Sequence, residues 1–404
     1  MIERKNEEWT FISICCGLYW FAHSLTRPVI ALFGLSIGAS DLHISFILAI
    51  YAVIPLLLAI PIGGYMEKVG SEVLFRWGAW LMCLSGLLYI LSTNLTMLIL
   101  AQIIAGIGQL FVWLTVQVMI TGDAKKISKT KRIATFSFYM ALGQLLGPII
   151  AGFCLELLGY SSVFTLYMSI CLVLLISGYR IRKLTSKISV PAHRNNMRAT
   201  FSLLKNKGVA AGLVASFVML FIVDTRMSYV PLYLEHIDYN YMQIGFLLTV
   251  ASGAGLLVKS VYERMTNKWN LTVILTGSFF LSIMFLLILP FSHNFLVIIM
   301  VLAVSGFSLA ITQSVSMSLI SEHTETSERG IAFGLRLLIN RSAQLVNPLY
   351  FGFALPLLDY SMSFLYLGAI MTIFSVCAVF LLSRKDKKRN LLDIPPMKTE
   401  IYEK

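Results

Sequence analysis

Runs of apolar residues alternate with short polar breaks twelve times along the chain. They lie near residues 9 to 33, 43 to 64, 76 to 93, 95 to 121, 133 to 157, 162 to 180, 208 to 232, 241 to 262, 270 to 291, 294 to 320, 331 to 356 and 360 to 383. Crossing a hydrocarbon layer of about 30 Å takes about 20 apolar residues in a helix, so each run predicts one membrane-spanning helix. The expected fold is an all-α membrane protein with twelve transmembrane helices in two pseudo-symmetric six-helix bundles. The expected organisation is an N-terminal bundle over 1–180, a basic cytoplasmic linker over 181–207, a C-terminal bundle over 208–383 and a basic cytoplasmic tail over 384–404.

Composition strengthens this reading. The 404 residues are 57% hydrophobic and 13% charged, with a mean hydropathy of +0.80, whereas soluble domains carry about a quarter charged residues. Of 32 basic residues, five lie inside spans (Arg27, Arg226, Lys259, Arg336 and Arg341) and the other 27 fall in segments on one side of the pattern. The positive-inside rule then puts both termini in the cytoplasm of a multi-pass cell-membrane protein. The net charge of +12 is thus a topology signal, with anionic lipid headgroups rather than nucleic acid as the expected neighbours. The first run follows a short charged tail and has no small-residue cleavage site, which predicts a retained span.

The halves repeat. At an offset of 200, Gln144, Leu145, Pro148, Gly152 and Phe153 fall on Gln344, Leu345, Pro348, Gly352 and Phe353, and Gly106 falls on Gly306. Paired halves are a recurring transporter device, with the ligand site between the repeats. Spans three, six, nine and twelve carry no charge in their central parts, as helices facing lipid should.

With these features the chain resembles the major facilitator superfamily, and its motifs are similar to the drug and metabolite antiporters of that family. Gly63-Gly64-Tyr65-Met66-Glu67-Lys68-Val69-Gly70 resembles the family's loop after span two, with Glu for Asp and Lys for Arg; Ser71 and Glu72 replace the usual basic residues. Gly143-x-x-x-Gly147-Pro148 on span five resembles the antiporter Gly-Pro motif. On span four, Gln102 stands where the family often has an arginine. The resemblance implies gating roles for Glu67, Lys68, Gly70, Gly143, Gly147 and Pro148, with Glu67 meeting the start of span eleven in an outward-open state.

Candidate substrate-binding residues, taken from deep in the spans, are His23, Arg27, Gln109, Trp113, Gln117, Arg226, Gln313, Arg336, Asn340, Arg341 and Gln344. His23 and Arg27 share a face of span one; Arg27 must find a cavity or partner, or else snorkel to headgroups. At 100° per residue, Arg336, Asn340, Gln344 and Asn347 form one stripe on span eleven, and Arg341 points elsewhere. Gln102, Gln109, Trp113 and Gln117 form an arc on span four, and Gln313 on span ten adds a further amide. Ser305, Ser308, Thr312 and Ser316 also align on span ten, where interhelical hydrogen bonding is the better explanation.

Asp224 is the one carboxylate deep in a span. Arg226 is on the wrong side of the helix to pair with it, so Arg27 or Arg341 are the candidate partners. A buried carboxylate of this kind suits proton coupling, and Glu156 near the outer end of span five is a second candidate. The approximate phosphate-loop pattern from Gly253 to Ser260 lacks its glycine before lysine and lies inside a span. No metal spacing, cofactor motif or hydrolytic triad is present.

The expectation is a monomeric, proton-coupled exporter of a small anionic or zwitterionic solute, working by alternating access. The alternatives are an organic-anion importer or lipid flippase of the same fold, an intramembrane lipid-processing enzyme, or a non-transporting receptor.

Overall fold

The computed structural model describes residues 2–121, 126–181, 202–325 and 328–389, and all regular structure among them is helical. The helices are α1 (Ile2–Ser36), α2 (Asp41–Val69), α3 (Ser71–Leu91), α4 (Leu95–Thr121), α5 (Lys126–Leu158), α6 (Tyr160–Arg180), α7 (Lys207–Ser228), α8 (Val230–His236), α9 (Tyr241–Lys268), α10 (Leu271–Ile288), α11 (Phe295–Glu322), α12 (Arg329–Ala354) and α13 (Tyr360–Arg389). Most of the 181–207 linker and the end of the 384–404 tail lie outside the described residues.

Local chemistry fixes the helix ends. Ser40, Asn206, Asn240, Asn270 and Asn294 cap the N-termini of α2, α7, α9, α10 and α11 with their side chains, each satisfying an otherwise orphaned backbone donor. Gly70 joins α2 to α3 at φ +94°, a conformation that costs a side-chain-bearing residue dearly. The last glycine of the loop motif is therefore required by the turn.

Span seven differs from the expected single helix. It breaks between Ser228 and Val230 and continues as α8, because Pro231 supplies no backbone N–H to the ladder.

Among the described residues, ten helical segments are long and apolar enough to cross a membrane, with α7 and α8 counted as one. The long helices α1 and α12 fall short by composition, and they hold His23, Arg27, Arg336, Asn340, Arg341 and Gln344. The polarity that lowers their hydropathy is the polarity a solute path needs.

Helices α1 to α6 pack as one group and α7 to α13 as another. The peripheral members α3, α6, α10 and α13 expose Trp77, Trp80, Leu172, Ile176, Phe280, Ile373 and Phe380, the apolar outer face expected against lipid tails. The groups meet where α5 crosses α9 and α2 crosses α12. Both crossings lie towards the end of the molecule that carries the Gly38, Gly159 and Asp238 turns, called here the Gly38 end; the opposite end carries the Gly70 turn.

Candidate functional site

Tyr19, His23 and Arg27 succeed one another at one-turn spacing on α1, so their side chains form a single stripe. The Arg27 Nη2 donates to Asp224 Oδ1 on α7, forming an ion pair between the two bundles. Arg27 is 8% and Asp224 4% exposed. Burial of both charges is costly unless they pair, so the partnership of unlike charges from different helices follows. Asp224 Oδ2 has no hydrogen-bond partner.

The Arg27 guanidinium also lies 5.5 Å from the ring centre of Tyr51 on α2, within cation–π range. The Tyr51 hydroxyl is 3.0 Å from His23 Nδ1, and the two rings stack. Beside them, inside the first bundle, a cavity of about 20 Å³ is lined by His23, Arg27, Tyr51, Tyr89, Gln102 and Tyr167, among others. That is room for a water molecule.

An aromatic wall continues this surface. Trp113 of α4 stacks on Tyr19 at 5.9 Å, meets Trp20 edge-on at 5.2 Å and stacks on Phe136 at 6.2 Å. Around it, three polar atoms are buried without partners: the Tyr19 hydroxyl, Trp20 Nε1 and Gln109 Oε1. Tyr19 and Gln109 face each other without closing a hydrogen bond by strict geometry. A buried polar atom left without a partner costs about 1 to 3 kcal/mol, so the wall is polar as well as aromatic.

From the opposite bundle, Arg341 of α12 lies in electrostatic range of Tyr19, His23, Tyr51 and Arg27. Its one hydrogen bond runs from Nη1 to Gln344 Oε1, 2.9 Å away, and among the described residues it has no carboxylate partner.

The polar stripe expected on span eleven divides its contacts among the helices around it, with Arg336 Nη2 left buried and unpartnered. Arg336 Nε reaches Ser316 of α11 at 3.4 Å. Asn340 accepts from Ser216 of α7 at 2.7 Å, and Asn347 donates to Thr225 Oγ1 at 2.6 Å and to Phe221 O at 3.2 Å. These three knit the second bundle together, and Arg341, expected to point elsewhere, faces the first bundle. The serine stripe on α11 is interhelical bonding: Ser308 meets Ser282, Thr312 meets Ser278 and Ser316 donates to Gly212 O.

Arg226 is 6% exposed, with Nε and Nη1 unpartnered, and takes no part in the Arg27–Asp224 pair. Gln117 lies two turns beyond Gln109 on α4, and Gln313 is exposed on α11.

Glu156 sits away from the Arg27–Asp224 pair. Its Oε2 accepts from the backbone N–H of Tyr241 at the start of α9, 2.8 Å away, in an exposed position. It therefore staples the bundles at the Gly38 end.

Gly143 and Gly147 let α5 lie against α1. A methyl group at Gly143 would come within 2.8 Å of Phe21 N, and one at Gly147 within 2.8 Å of Leu25 N. Ser24 Oγ donates to Gly143 O across that contact, and Pro148 follows inside the helix. Lys68 is exposed; the Glu67 side chain lies outside the described residues. Tyr19, Trp20 and Tyr51 were not foreseen: the stripe Tyr19, His23, Arg27 was readable from spacing, whereas nothing in the sequence ties Tyr51 to it.

Two packed groups of spanning helices with a buried charge pair across their seam make a multi-pass membrane protein. A sequence profile of the Major Facilitator Superfamily matches residues 12–348 and 261–396. An uncharacterised MFS-type transporter of Methanocaldococcus jannaschii is 22% identical over 81% of this chain and 85% of its own length. The class B tetracycline resistance protein of Escherichia coli is 26% identical over 76% of this chain and 78% of its own. Among solved structures, the fold matches that of the nucleoside transporter NupG with a TM-score of 0.77 at 10% identity, over 93% of this chain and 98% of that one. The chain belongs to the Major Facilitator Superfamily and is a transporter, not an enzyme.

Proposed function

We propose that the protein is a proton-coupled exporter of a small organic solute, anionic or zwitterionic, held between the bundles and released by alternating access. The observation that carries this reading is the Arg27–Asp224 pair, a titratable link between the two moving parts. Protonation of Asp224 removes the charge that holds Arg27, so proton binding and bundle movement are coupled through one contact. Arg341, with Gln109, Gln344 and Trp113, supplies the solute contacts, and the resistance protein among the relatives supports removal of a solute from the cell.

The bundles are tied at the Gly38 end by Glu156 on Tyr241 and by Ser45 on Tyr229, 2.9 Å apart. On α12, near the Gly70 end, a side chain at Gly330 or Gly334 would meet nothing within 4 Å among the described residues. With the basic segments in the cytoplasm, this is a state closed to the outside. In the opposite state Glu67 would latch the start of α12.

The test is flux under an imposed pH gradient in everted and right-side-out membrane vesicles. Solute accumulation in everted vesicles with an acidic lumen is expected; proton-driven accumulation in right-side-out vesicles with an acidic exterior would make the protein an importer.

A further inference from the structure

Where α3 packs against α6, their outer surface at the Gly70 end carries large rings that the packing leaves uncovered. Trp77 is 50%, Trp80 56% and Tyr179 72% exposed. Tryptophan and tyrosine near the ends of spanning helices settle among lipid headgroups, which accounts for the rings. It does not account for the two arginines beside them, Arg76 on α3 and the exposed Arg180 that follows Tyr179 on α6.

Arg76 is held in place. Its stem crosses α6 at Gly178, where a methyl group would come within 2.7 Å of Arg76 Cγ. The guanidinium then lies 5.2 Å from the centre of the Tyr179 ring, within cation–π range, and its Nε donates to Glu72 O, 3.4 Å away. Among the described residues the Arg27–Asp224 contact is the only ion pair, so neither Arg76 nor Arg180 is neutralised by a carboxylate. A planar guanidinium fixed on a ring offers its remaining N–H donors to a phosphate.

The duplication supplies an internal comparison. At the offset of 200, which also sets Ser92 and Asn94 on Ser292 and Asn294, Arg76, Trp77 and Trp80 fall on Thr276, Gly277 and Phe280 of α10. Gly178, Tyr179 and Arg180 fall on Ala378, Val379 and Phe380 of α13. Phe280 and Phe380 are exposed as plain apolar rings, and no cation stands at the matching positions. The Lys268–Trp269 contact of the second bundle lies at the turn between α9 and α10, outside this face. A bilayer presents the same headgroup layer to both bundles, so a general need for interfacial anchoring would put the same chemistry on both. The difference singles out the α3–α6 face.

We propose that this face binds one anionic phospholipid from the leaflet at the Gly70 end. Its phosphate lies between Arg76 and Arg180, and its glycerol and upper acyl chain lie along Trp77 and Trp80. Two cations without a carboxylate favour a headgroup that carries no ammonium over the choline headgroup. This assignment is independent of the solute, of the direction of transport and of the coupling ion.

The experiment uses purified full-length protein in phosphatidylcholine liposomes. A minor fraction of the lipid is replaced either by phosphatidylglycerol brominated on its acyl chains or by phosphatidylcholine brominated in the same way. Bromine quenches tryptophan emission only at close range, so the two samples compare the lipids that touch the rings. Brominated phosphatidylglycerol is expected to be enriched roughly fivefold over brominated phosphatidylcholine, as attraction of a lipid anion to a basic site implies. Trp77→Phe with Trp80→Phe should remove the excess quenching. Arg76→Gln with Arg180→Gln should remove the preference, whereas Lys205→Gln with Lys207→Gln, which takes the same charge from exposed positions at the same end, should leave it.

Equal quenching by the two brominated lipids in the unmodified protein overturns the proposal, and that comparison requires no variant to fold. Equal loss of preference in the arginine and lysine variants overturns it in favour of diffuse attraction to the whole basic end. Excess quenching that survives loss of both tryptophans places the lipid elsewhere. Loss of the preference on adding millimolar glycerol phosphate would assign the arginines to a soluble phosphate ester and overturn the lipid assignment.

Discussion

Ser45 lies against Gly352 as Gly245 lies against Gly152. A methyl group at Gly352 would approach Ser45 Cβ to 2.8 Å, and one at Gly152 would approach Gly245 Cα to 3.0 Å. Each member of one pair is 200 positions from its counterpart in the other. The same offset relates Gly106, which lies on the Tyr51 backbone, to Gly306, which lies on the Ala251 backbone. The duplication seen in the sequence is therefore a duplication of contacts, and the two crossings α5–α9 and α2–α12 are related by it.

Those crossings close the Gly38 end, so widening them should prevent closure. Gly152→Val introduces a side chain where the Tyr241 and Gly245 backbone already sits, and Gly352→Val one where the Ser45 side chain sits, each at a cost of about 1 to 3 kcal/mol. The expected result is a folded protein with transport reduced at least roughly tenfold and with weakened disulfide cross-linking between cysteines placed at that end. Normal cross-linking in either variant would show that the crossing is not the closing contact.

Arg27 and Asp224 should behave as a unit. Removing one partner of a buried pair strands the other charge, at a cost of about 3 to 5 kcal/mol. Arg27→Gln is expected to lower the melting temperature sharply, and Asp224→Asn added to it should restore much of the loss. Additive melting shifts in the double variant would mean that the pair does not form in the membrane.

Polar residues of the two kinds should separate experimentally. Asn347→Leu removes two hydrogen bonds inside the second bundle, each worth about 0.6 to 1.7 kcal/mol in a membrane protein, and should cost stability while leaving solute affinity unchanged. Gln109→Leu removes an unpartnered buried acceptor and should leave the melting temperature level or raised while weakening solute binding. The opposite pattern would exchange their roles.

Which of these roles were readable beforehand follows from what a helical wheel contains. Hydrophobic runs located the helices, and the scarcity of deep carboxylates pointed to a partner for Asp224 on another helix, with Arg27 one of two candidates. A wheel gives angles within one helix and says nothing of which neighbour each face meets. Arg336, Asn340 and Asn347 therefore looked like solute-binding residues until α7 and α11 were found against them, and Arg341, a solute-binding candidate off that stripe, had no visible neighbours until its place within electrostatic range of Tyr19 and Tyr51 was seen. The break at Tyr229 was signalled by Pro231, which sat within an apolar run too continuous to divide by hydropathy. Glu156 read as a second proton-coupling candidate near the outer end of span five because its place on α5 was known and the arrival of the α9 N-terminus was not.

Glu156→Gln offers a check on that last point. It retains a carbonyl acceptor for Tyr241 N–H and loses the charge, so a modest weakening of closure at the Gly38 end is expected, of about 1 kcal/mol or less for an exposed contact. The pH dependence of transport should be unchanged. A shifted pH profile in this variant would bring Glu156 back as a proton-carrying group.

The central claim is that Asp224 couples solute movement to protons through Arg27. It is tested most directly by comparing two fluxes of Asp224→Asn protein in the same proteoliposomes: exchange of labelled for unlabelled solute without a gradient, and net accumulation under an imposed pH gradient. The account predicts that exchange persists while proton-driven accumulation falls to the background of empty liposomes. Accumulation at the level of the unmodified protein would contradict it, and would leave the Arg27–Asp224 pair a structural tie between the bundles.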